Sequence, residues 1–453
     1  MQIPVNQPFL SLNFKRAFSQ TDNSALIAFR VIFGFLICCY CAYAFLSGSL
    51  TETYIRPGFT FSFIGFEFLK PLPGTGMYFY FGTMFLLGLM IMFAIFYRTA
   101  IISFAILWLT LYLMQKADYN NHNYLIFLLS FIMIFLPANR YFSFDVRRGA
   151  VKQSVTCSRW VIWIMMAQMA IVYFFAALYK LQPDWLSGKF LTIRFSALAN
   201  HSLLGVFYGN PFFAKIISIG GFLFDLLIVP FLLWRRTSIP AFIISVLFHL
   251  FNFYTFRIGI FPFLCIAANL FFLDAELVRR AFFPAKAPYD SLRHIRKPKP
   301  AVWVIPALGV YLMLQLLLPL RAVFYPGNVF WTEEGYRMSW RMMLRTKSGR
   351  ITFKVVDPIS KMMWRINATE RFSPRHARWL ASSPDMIWQY AQHLQEEFKK
   401  QGYPDVEVYA VGAVSLNREP YRPLADSTVD LSEVSWSHLK HTTWIIPYKK
   451  ANN

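Results

Sequence analysis

Long apolar runs recur along this chain from Ala25 to Leu320, and they constrain its fold more than any other feature. A bilayer core requires about 20 apolar residues in each helix that spans it. The runs therefore predict an α-helical polytopic membrane protein with about nine transmembrane helices. They lie at residues 25–46, 77–97, 99–114, 124–137, 160–179, 214–234, 239–256, 258–273 and 302–320.

Two loops between these runs are strongly basic, and they set the expected orientation of the protein. Lys and Arg concentrate in the cytoplasmic loops of membrane proteins, so both loops and the N-terminus should lie in the cytoplasm. With this number of spans, everything after Leu320 should lie outside it. The basic loops are residues 140–159 and 279–299.

Three polar stretches fall on the outer side of the bundle under this topology. They are residues 115–123, residues 180–213 and the junction of the seventh and eighth runs, where Arg257 lies. Because the loops on one side of a helical bundle are neighbours in space, we expect these stretches to converge into one site at the outer end of the bundle.

The sequence changes character beyond the last apolar run. Apolar and polar residues alternate at 351–356 and 406–411, which is typical of strands, and residues 383–400 have the spacing of an amphipathic helix. We therefore predict two domains. Residues 1–320 form the transmembrane helical domain, and residues 321–453 form a C-terminal soluble, extracytoplasmic α+β domain.

The net charge of +22 does not indicate a nucleic-acid partner, because the basic residues collect in short cytoplasmic loops. The five cysteines lie in or beside apolar segments. Because of these apolar surroundings, we interpret them as packing residues. No bound metal is predicted.

Lys180 ends the fifth apolar run. One interpretation is a lysine that extends to the membrane surface, which is common at helix ends. The other is catalysis, because an amine held among apolar groups loses the solvation of its charged form, and a neutral lysine can accept a proton. Position alone favours the first interpretation.

Three further polar residues lie near the same end of the bundle. His122 is flanked by asparagines, which are expected to supply hydrogen bonds that fix one tautomer of its imidazole. His249 lies within an apolar run, where burying a polar group costs free energy unless it is paired or functional. Two interpretations are therefore open, a hydrogen bond to another helix and a role in a site. Arg257 either anchors a lipid headgroup or holds an anionic substrate.

Five separated groups of residues carry a family resemblance. They are residues 120–125, residues 179–181 with 184–185, residues 248–249 with 258–261, residues 331–332 with 339–343, and residues 436–437 with 443–447. In this order they resemble the vitamin K-dependent gamma-glutamyl carboxylases and the bacterial membrane proteins that share their transmembrane domain. The resemblance covers most of the chain and implies a location in a bacterial inner membrane.

The resemblance implies a reaction that uses reduced vitamin K, as phylloquinol or menaquinol, together with O2 and CO2. In the family a lysine deprotonates the quinol, oxygen adds, and the resulting alkoxide removes a proton from the γ-carbon of a peptide glutamate, which CO2 then traps. Lys180 is thereby expected to be the base, and His122 to be catalytic by stabilising oxyanion character. Asn121, His249 and Arg257 are expected to help bind the quinol.

The family's contact region for the glutamyl substrate corresponds to residues 331–343 here. Trp331, Tyr336, Trp340 and Arg341 are therefore expected to bind substrate. The implied partners are membrane lipid, the quinol and a glutamate-containing peptide or protein, while the oligomeric state is not predicted.

Two features depart from the animal members of the family. No cysteine follows Cys265, so the disulfide that joins their two domains cannot form, and Arg341 stands where an acidic residue is expected. Two alternatives to the carboxylase hypothesis therefore remain. One is a quinol epoxidase without carboxylation, and the other is a non-catalytic transporter or lipid-handling protein, since fold alone does not define function.

Overall fold

The structure, a computed structural model, describes residues 16–201, 204–289 and 303–449. Within these ranges seven helices are long and apolar enough to cross a membrane. Two shorter apolar helices, Asn121–Phe135 and Phe261–Phe272, match the remaining predicted runs. The prediction of a polytopic membrane protein is thus confirmed, while about nine transmembrane helices stays a prediction, because only seven of the described helices have the length of a span. Residue 302 of the last predicted run and residues 290–299 of the second basic loop lie outside the described residues.

The helices follow the apolar runs closely. In chain order, those of at least eight residues are α1 (Ser24–Leu46), α2 (Gly76–Phe93), α3 (Tyr97–Met114), α4 (Asn121–Phe135), α5 (Arg159–Lys180), α6 (Lys189–Ser196), α7 (Pro211–Leu233), α8 (Ser238–Phe256), α9 (Phe261–Asn269), α10 (Ala275–Phe282), α11 (Val304–Leu320), α12 (Pro374–Ser382) and α13 (Pro384–Lys400). Shorter helical segments lie at Thr51–Ile55, Lys116–Asp118, Phe144–Arg147, Pro183–Leu186, Ala199–His201, Gly205–Tyr208, Leu270–Phe272, Arg321–Phe324, Val329–Thr332 and Ala368–Arg371. Helices α1 to α5, α7 to α9 and α11 form the membrane bundle.

The described strands form two antiparallel sheets. A small sheet pairs β1 (Gln20–Asp22) with β2 (Thr156–Ser158), just before α1 and α5 begin. The larger sheet belongs to the C-terminal region and has the strand order β4-β3-β5-β6. Its strands are β3 (Lys347–Val356), β4 (Met363–Asn367), β5 (Glu407–Leu416) and β6 (Arg422–Pro423).

Helices α12 and α13 cover one face of the larger sheet. Ile351, Phe353 and Val355 of β3 are buried at alternate positions, as expected for a strand with one face against a core. They share a buried cluster with Leu380 of α12 and Tyr390 of α13. The predicted soluble α+β region is confirmed, with strands and a helix in the segments that the alternating and amphipathic patterns indicated.

Polar caps fix where several bundle helices begin and end on the side of the soluble domain, which we call the domain end. Asn120 accepts a hydrogen bond at 2.8 Å from the Asn123 backbone N–H and so begins α4. Asn210 accepts one from Phe212 at the start of α7. Such caps satisfy N–H groups that a first helical turn leaves unpaired. Helix α8 ends before Arg257, whose φ of 50° is incompatible with a continuing helix.

Polar contacts join the loops at the domain end to the soluble domain. Asn417 donates to a carboxylate oxygen of Asp184 at 2.8 Å. The hydroxyl of Tyr119 accepts the backbone N–H of Met338 at 2.6 Å. The polar stretches 115–123 and 180–213 therefore meet at one end of the bundle, as the sequence predicted.

Candidate functional site

One cavity, of about 680 Å³, connects the membrane helices with the soluble domain. A volume of about 300–1,000 Å³ is usual for a small-molecule site. The lining is mainly apolar in the bundle and becomes polar toward the segment 333–343. The predicted site residues that line it are Asn121, His122, Lys180, His249, Tyr336 and Arg341.

Lys180 is buried in the cavity wall, with 7% of its surface exposed. Its Nζ lies 2.5 Å from Oδ2 of Asp225 in α7 and donates to the carbonyl oxygen of Gly221 at 3.3 Å. The ring centroid of Trp185 lies 5.0 Å from the same nitrogen. The side chain is therefore held inside the protein and does not extend to the membrane surface, as the first interpretation of this lysine would require.

Asp225 is a site residue that the sequence analysis missed. It is an acidic residue within an apolar spanning helix, where a charge is expensive unless it is paired or functional, and this cost was the signal that could have identified it. Its carboxylate contacts the Lys180 amine directly, so Asp225 fixes the position of this amine in the cavity wall. The amine in this position lies within reach of a ligand in the cavity.

His249 belongs to a chain of hydrogen bonds between helices. Nδ2 of Asn269 donates to the Tyr173 oxygen at 2.9 Å and to Oγ of Ser245 at 2.8 Å. The Tyr173 oxygen also lies 2.9 Å from Nε2 of His249. This arrangement favours donation from the tyrosine to Nε2, which leaves the imidazole proton on Nδ1. His249 thus both bonds to a neighbouring helix and lines the cavity.

His122 lines the cavity at the first turn of α4, with its ring centroid 6.0 Å from that of Phe261. The neighbouring asparagines do not fix its tautomer, contrary to the expectation from the sequence. Asn120 caps the helix instead, and Asn121 donates to the carbonyl oxygen of Arg341 at 3.4 Å. No described residue forms a hydrogen bond with the imidazole of His122, so its nitrogens are free to bond to a ligand.

A strained loop of the C-terminal region closes the cavity at the domain end. Met338, Trp340 and Met343 have positive φ values of 57°, 60° and 55°. Such conformations cost non-glycine residues about 1–3 kcal/mol each and cluster at functional sites. The hydroxyl of Tyr336 donates to the carbonyl oxygen of Arg341 at 3.2 Å, which holds the loop over the cavity.

Arg341 lies flat against Tyr179, with 3.6 Å between its guanidinium carbon and the ring centroid. The residue is only 6% exposed, and its Nη1 reaches the carbonyl oxygen of Pro319 only at 3.5 Å. No acidic side chain in the described part of the chain forms an ion pair with it. A largely buried guanidinium without an anion is costly, so Arg341 is suited to bind a ligand carboxylate.

A buried carboxylate, Asp385, holds two cations that line the cavity. Its oxygen lies 2.8 Å from Lys116 and 2.7 Å from Arg337. Burial disfavours ionisation of Asp385, but Arg337 and Lys116 outweigh it and hold its pKa well below the usual range. Burial, opposed by Asp385, lowers the pKa of Lys116 to about 8.

A second buried carboxylate, Glu333, forms a similar cluster beside the first. Arg345 contacts it directly, and Nζ of Lys347 lies 3.3 Å from the same oxygen. Burial, opposed by Glu333, lowers the pKa of Lys347 to about 8. Each of these two carboxylates contacts two cations, and no described acidic side chain pairs with Arg341. Positive charge is therefore in excess at the domain end of the cavity.

Three predicted site residues do not line the cavity. Arg257 is exposed at the end of α8. Trp331 is buried in the soluble domain and donates to the carbonyl oxygen of Ile446 at 2.8 Å. Trp340 is fully buried against Tyr124, with 5.1 Å between ring centroids. Both tryptophans therefore have packing contacts, and the binding roles of all three residues stay predictions.

Two family models match the chain in succession. The model of the HTTM domain matches residues 18–276, which include the first eight bundle helices. The model of the vitamin K-dependent gamma-carboxylase lumenal domain matches residues 300–451, which include α11 and the larger sheet. Among solved structures, none matches the chain. Because the matches follow each other over both the bundle and the soluble region, the chain belongs to the vitamin K-dependent gamma-carboxylase family.

Proposed function

We propose that this protein is a membrane enzyme that couples oxygenation of reduced vitamin K to its epoxide with gamma-carboxylation of peptide glutamate. One observation carries the proposal. A continuous cavity holds Lys180 and two histidines among apolar side chains in the bundle, and excess positive charge at the domain end. A lipid-soluble quinol and an acidic peptide from water can therefore meet in it.

The bundle part of the cavity suits the head of reduced vitamin K, as phylloquinol or menaquinol, with O2 and CO2 as co-substrates. When bound, reduced vitamin K would supply the electrons for oxygen and the strong base that the carboxylation needs. Lys180 would accept a proton from a quinol hydroxyl, and His122 and His249 would bond to an oxygen that gains negative charge. Phe224 and Phe248 line the bundle part of the cavity with their ring centroids 3.7 Å apart. These rings would exclude water, which would protonate the strong base before it reached the glutamate.

The domain end of the cavity suits the glutamyl substrate. We assign its carboxylate to Arg341 and propose that Tyr336 and Asn121, which both bond to the Arg341 carbonyl oxygen, position this arginine. Trp331 and Trp340, which are buried, would hold the segment 331–343 in place by packing beneath it. We assign Arg257 to lipid headgroups rather than to the quinol, because it is exposed outside the cavity.

The remaining features of the proposal concern topology. We propose a bacterial inner-membrane protein with a cytoplasmic N-terminus and an extracytoplasmic C-terminal domain. The transmembrane domain would comprise residues 1–320 and the soluble domain residues 321–453. An outward-facing domain end would let the peptide substrate reach the cavity from water without crossing the membrane.

A quinol epoxidase without carboxylation is the second candidate function. It is favoured by Arg341, a cation where the family resemblance leads us to expect an acidic residue. Epoxidation needs the bundle part of the cavity and oxygen only, so a change at the domain end would leave it intact. The transporter hypothesis has no comparable observation in its favour.

The experiment supplies the purified protein in lipid nanodiscs with chemically reduced vitamin K, oxygen, labelled bicarbonate and a glutamate-containing peptide. We expect vitamin K epoxide and label in the peptide. Epoxide without label would identify the epoxidase. Absence of both products, in protein that remains folded, would contradict the proposed function.

A tyrosine variant tests the role of the hydrogen-bond chain behind His249. We expect Tyr173→Phe to lower kcat for epoxide formation about tenfold, because it removes the buried hydrogen bonds to His249 and Asn269. The imidazole of His249 is then no longer held in one tautomer, while the aromatic ring is retained. The control is Tyr97→Phe, which loses a similar buried bond to the Met133 carbonyl oxygen away from the cavity. Equal kcat in the two variants would contradict a positioning role for Tyr173.

A further inference from the structure

The face of the larger sheet that α12 and α13 leave uncovered carries three cations. Arg350 and Lys354 of β3 are exposed, at positions that alternate with the buried residues of this strand. Arg365 of β4 is exposed as well and lies directly opposite Lys354 in the register of the two strands. Successive side chains of a strand point to opposite faces of a sheet, and residues directly opposite each other share a face. All three cations therefore lie on the uncovered face.

The register of the sheet places two of these cations side by side. Like charges directly opposite on neighbouring strands destabilise a sheet, and Lys354 and Arg365 have this arrangement. No acidic side chain in the ranges that the structure describes forms an ion pair with either residue or with Arg350. The carboxylate that β5 contributes to this face, Glu407, accepts a hydrogen bond from the Tyr409 hydroxyl at 3.0 Å. An anion from outside the chain would relieve the repulsion.

Strand β3 connects this face with the cavity. It begins at Lys347, whose Nζ lies 3.3 Å from Glu333, and Glu333 lines the domain end of the cavity. A strand rises about 3.3 Å per residue, so Arg350 lies roughly 10 Å and Lys354 roughly 23 Å along β3 from its start. The cations therefore follow a path that leads away from the domain end of the cavity.

We propose that the uncovered sheet face binds an acidic, extended segment of the substrate protein while a glutamate of the same protein occupies the cavity. The inference rests on the proposed function and adds what the substrate must carry outside the reacting glutamate. Carboxylates of the segment would pair with Lys354 and Arg365, and an arginine offers two parallel N–H groups to a carboxylate. Because an extended chain also spans about 3.3 Å per residue, an acidic residue about seven positions from the reacting glutamate would reach this pair.

The test measures binding of two fluorescent peptides to the full-length protein in nanodiscs of phosphatidylcholine, a lipid without net charge. Both peptides carry a glutamate, followed by a run of aspartates in one peptide and of asparagines in the other. We expect Lys354→Gln/Arg365→Gln to raise the Kd of the aspartate peptide about tenfold, because two charge-assisted contacts are lost. The Kd of the asparagine peptide should not change. The matched control is Lys399→Gln/Lys400→Gln, which removes the same charge from the exposed end of α13.

Binding without turnover separates this inference from the proposed reaction. A wild-type preference for the aspartate peptide that only the Lys354/Arg365 variant loses would support the inference even if neither epoxide nor labelled peptide formed. The thermal unfolding of this variant should match that of the wild type, because the two replaced side chains repel each other. Equal affinity of the wild type for the two peptides would overturn the inference, as would an equal loss in the control variant. Binding of phosphatidylglycerol vesicles by the wild type but not by the Lys354/Arg365 variant, with no preference between the peptides, would overturn it by assigning the face to lipid headgroups.

Discussion

Replacing Lys180 with alanine is expected to lower the rate of vitamin K epoxide formation about 10²–10⁴-fold, the range typical for loss of a positioned general base. The amine lies in the cavity wall with Asp225 as its partner at 2.5 Å, and no other lysine lines the bundle part of the described cavity. Removing it leaves the quinol hydroxyl without a proton acceptor. The measurement is single-turnover epoxide formation in nanodiscs at saturating quinol.

Two further variants separate lost chemistry from lost folding. Lys180→Ala leaves a buried carboxylate unpaired, and such a change destabilises strongly; the double variant Lys180→Ala/Asp225→Asn removes both charges and should stay folded but inactive. Lys189→Ala serves as the control, because Lys189 lies outside the cavity and pairs with Glu419 at 3.3 Å. Epoxide formation near the wild-type rate in the folded double variant would show that Lys180 is not the base.

Replacing Asp385 with asparagine is expected to lower the free energy of unfolding by about 3–5 kcal/mol, the usual cost of breaking a buried ion pair from one side. Lys116 and Arg337 would remain buried without their anion. Lowering the pH should also lower the free energy of unfolding, because it protonates Asp385. Since the pKa of Asp385 is depressed in the folded protein, its contribution is present above the unfolded carboxyl pKa, about 3.9, and is lost as pH falls through the folded value.

Denaturant unfolding in nanodiscs, followed by tryptophan fluorescence, measures this loss. Adding Lys116→Met to Asp385→Asn removes one of the two stranded cations and should restore part of the stability. Asp405→Asn is the control, because that carboxylate is exposed, and surface changes usually stay within about 0.5 kcal/mol. Equal stability of the Asp385→Asn and Asp405→Asn variants would contradict the assigned role of the buried cluster.

The membrane bundle and the two long strands of the soluble domain, β3 and β5, were predictable from the sequence because their signals are local. An apolar run must form a helix in lipid, since no other partner for its backbone is available there. Alternation at 351–356 likewise depends only on neighbouring residues and one buried face. The polar stretches could be assigned to one end of the bundle from loop charge alone.

The asparagines around His122 show where local reasoning fails. Adjacency in sequence predicted that they would hold the imidazole, but Asn120 bonds to the first turn of its own helix and Asn121 to the Arg341 carbonyl oxygen, 220 positions away in the chain. At the start of a helix, a short amide side chain readily accepts a hydrogen bond from an unpaired backbone N–H of the first turn. The sequence alone does not show whether such a side chain bonds to the backbone or to the neighbouring imidazole.

The sequence by itself determined which part of the chain lies in lipid and which in water. It also determined the membrane helices, the strands β3 and β5, the helix α13, and the end of the bundle where polar residues collect. Only the tertiary structure decided their partners: Asp225 for Lys180, Tyr173 for His249, and no anion for Arg341. The physical reason is that burial and periodicity follow from each residue and its neighbours, whereas a contact between Lys180 and Asp225, 45 positions apart, depends on how whole helices pack. The chemistry of the cavity depends on those contacts.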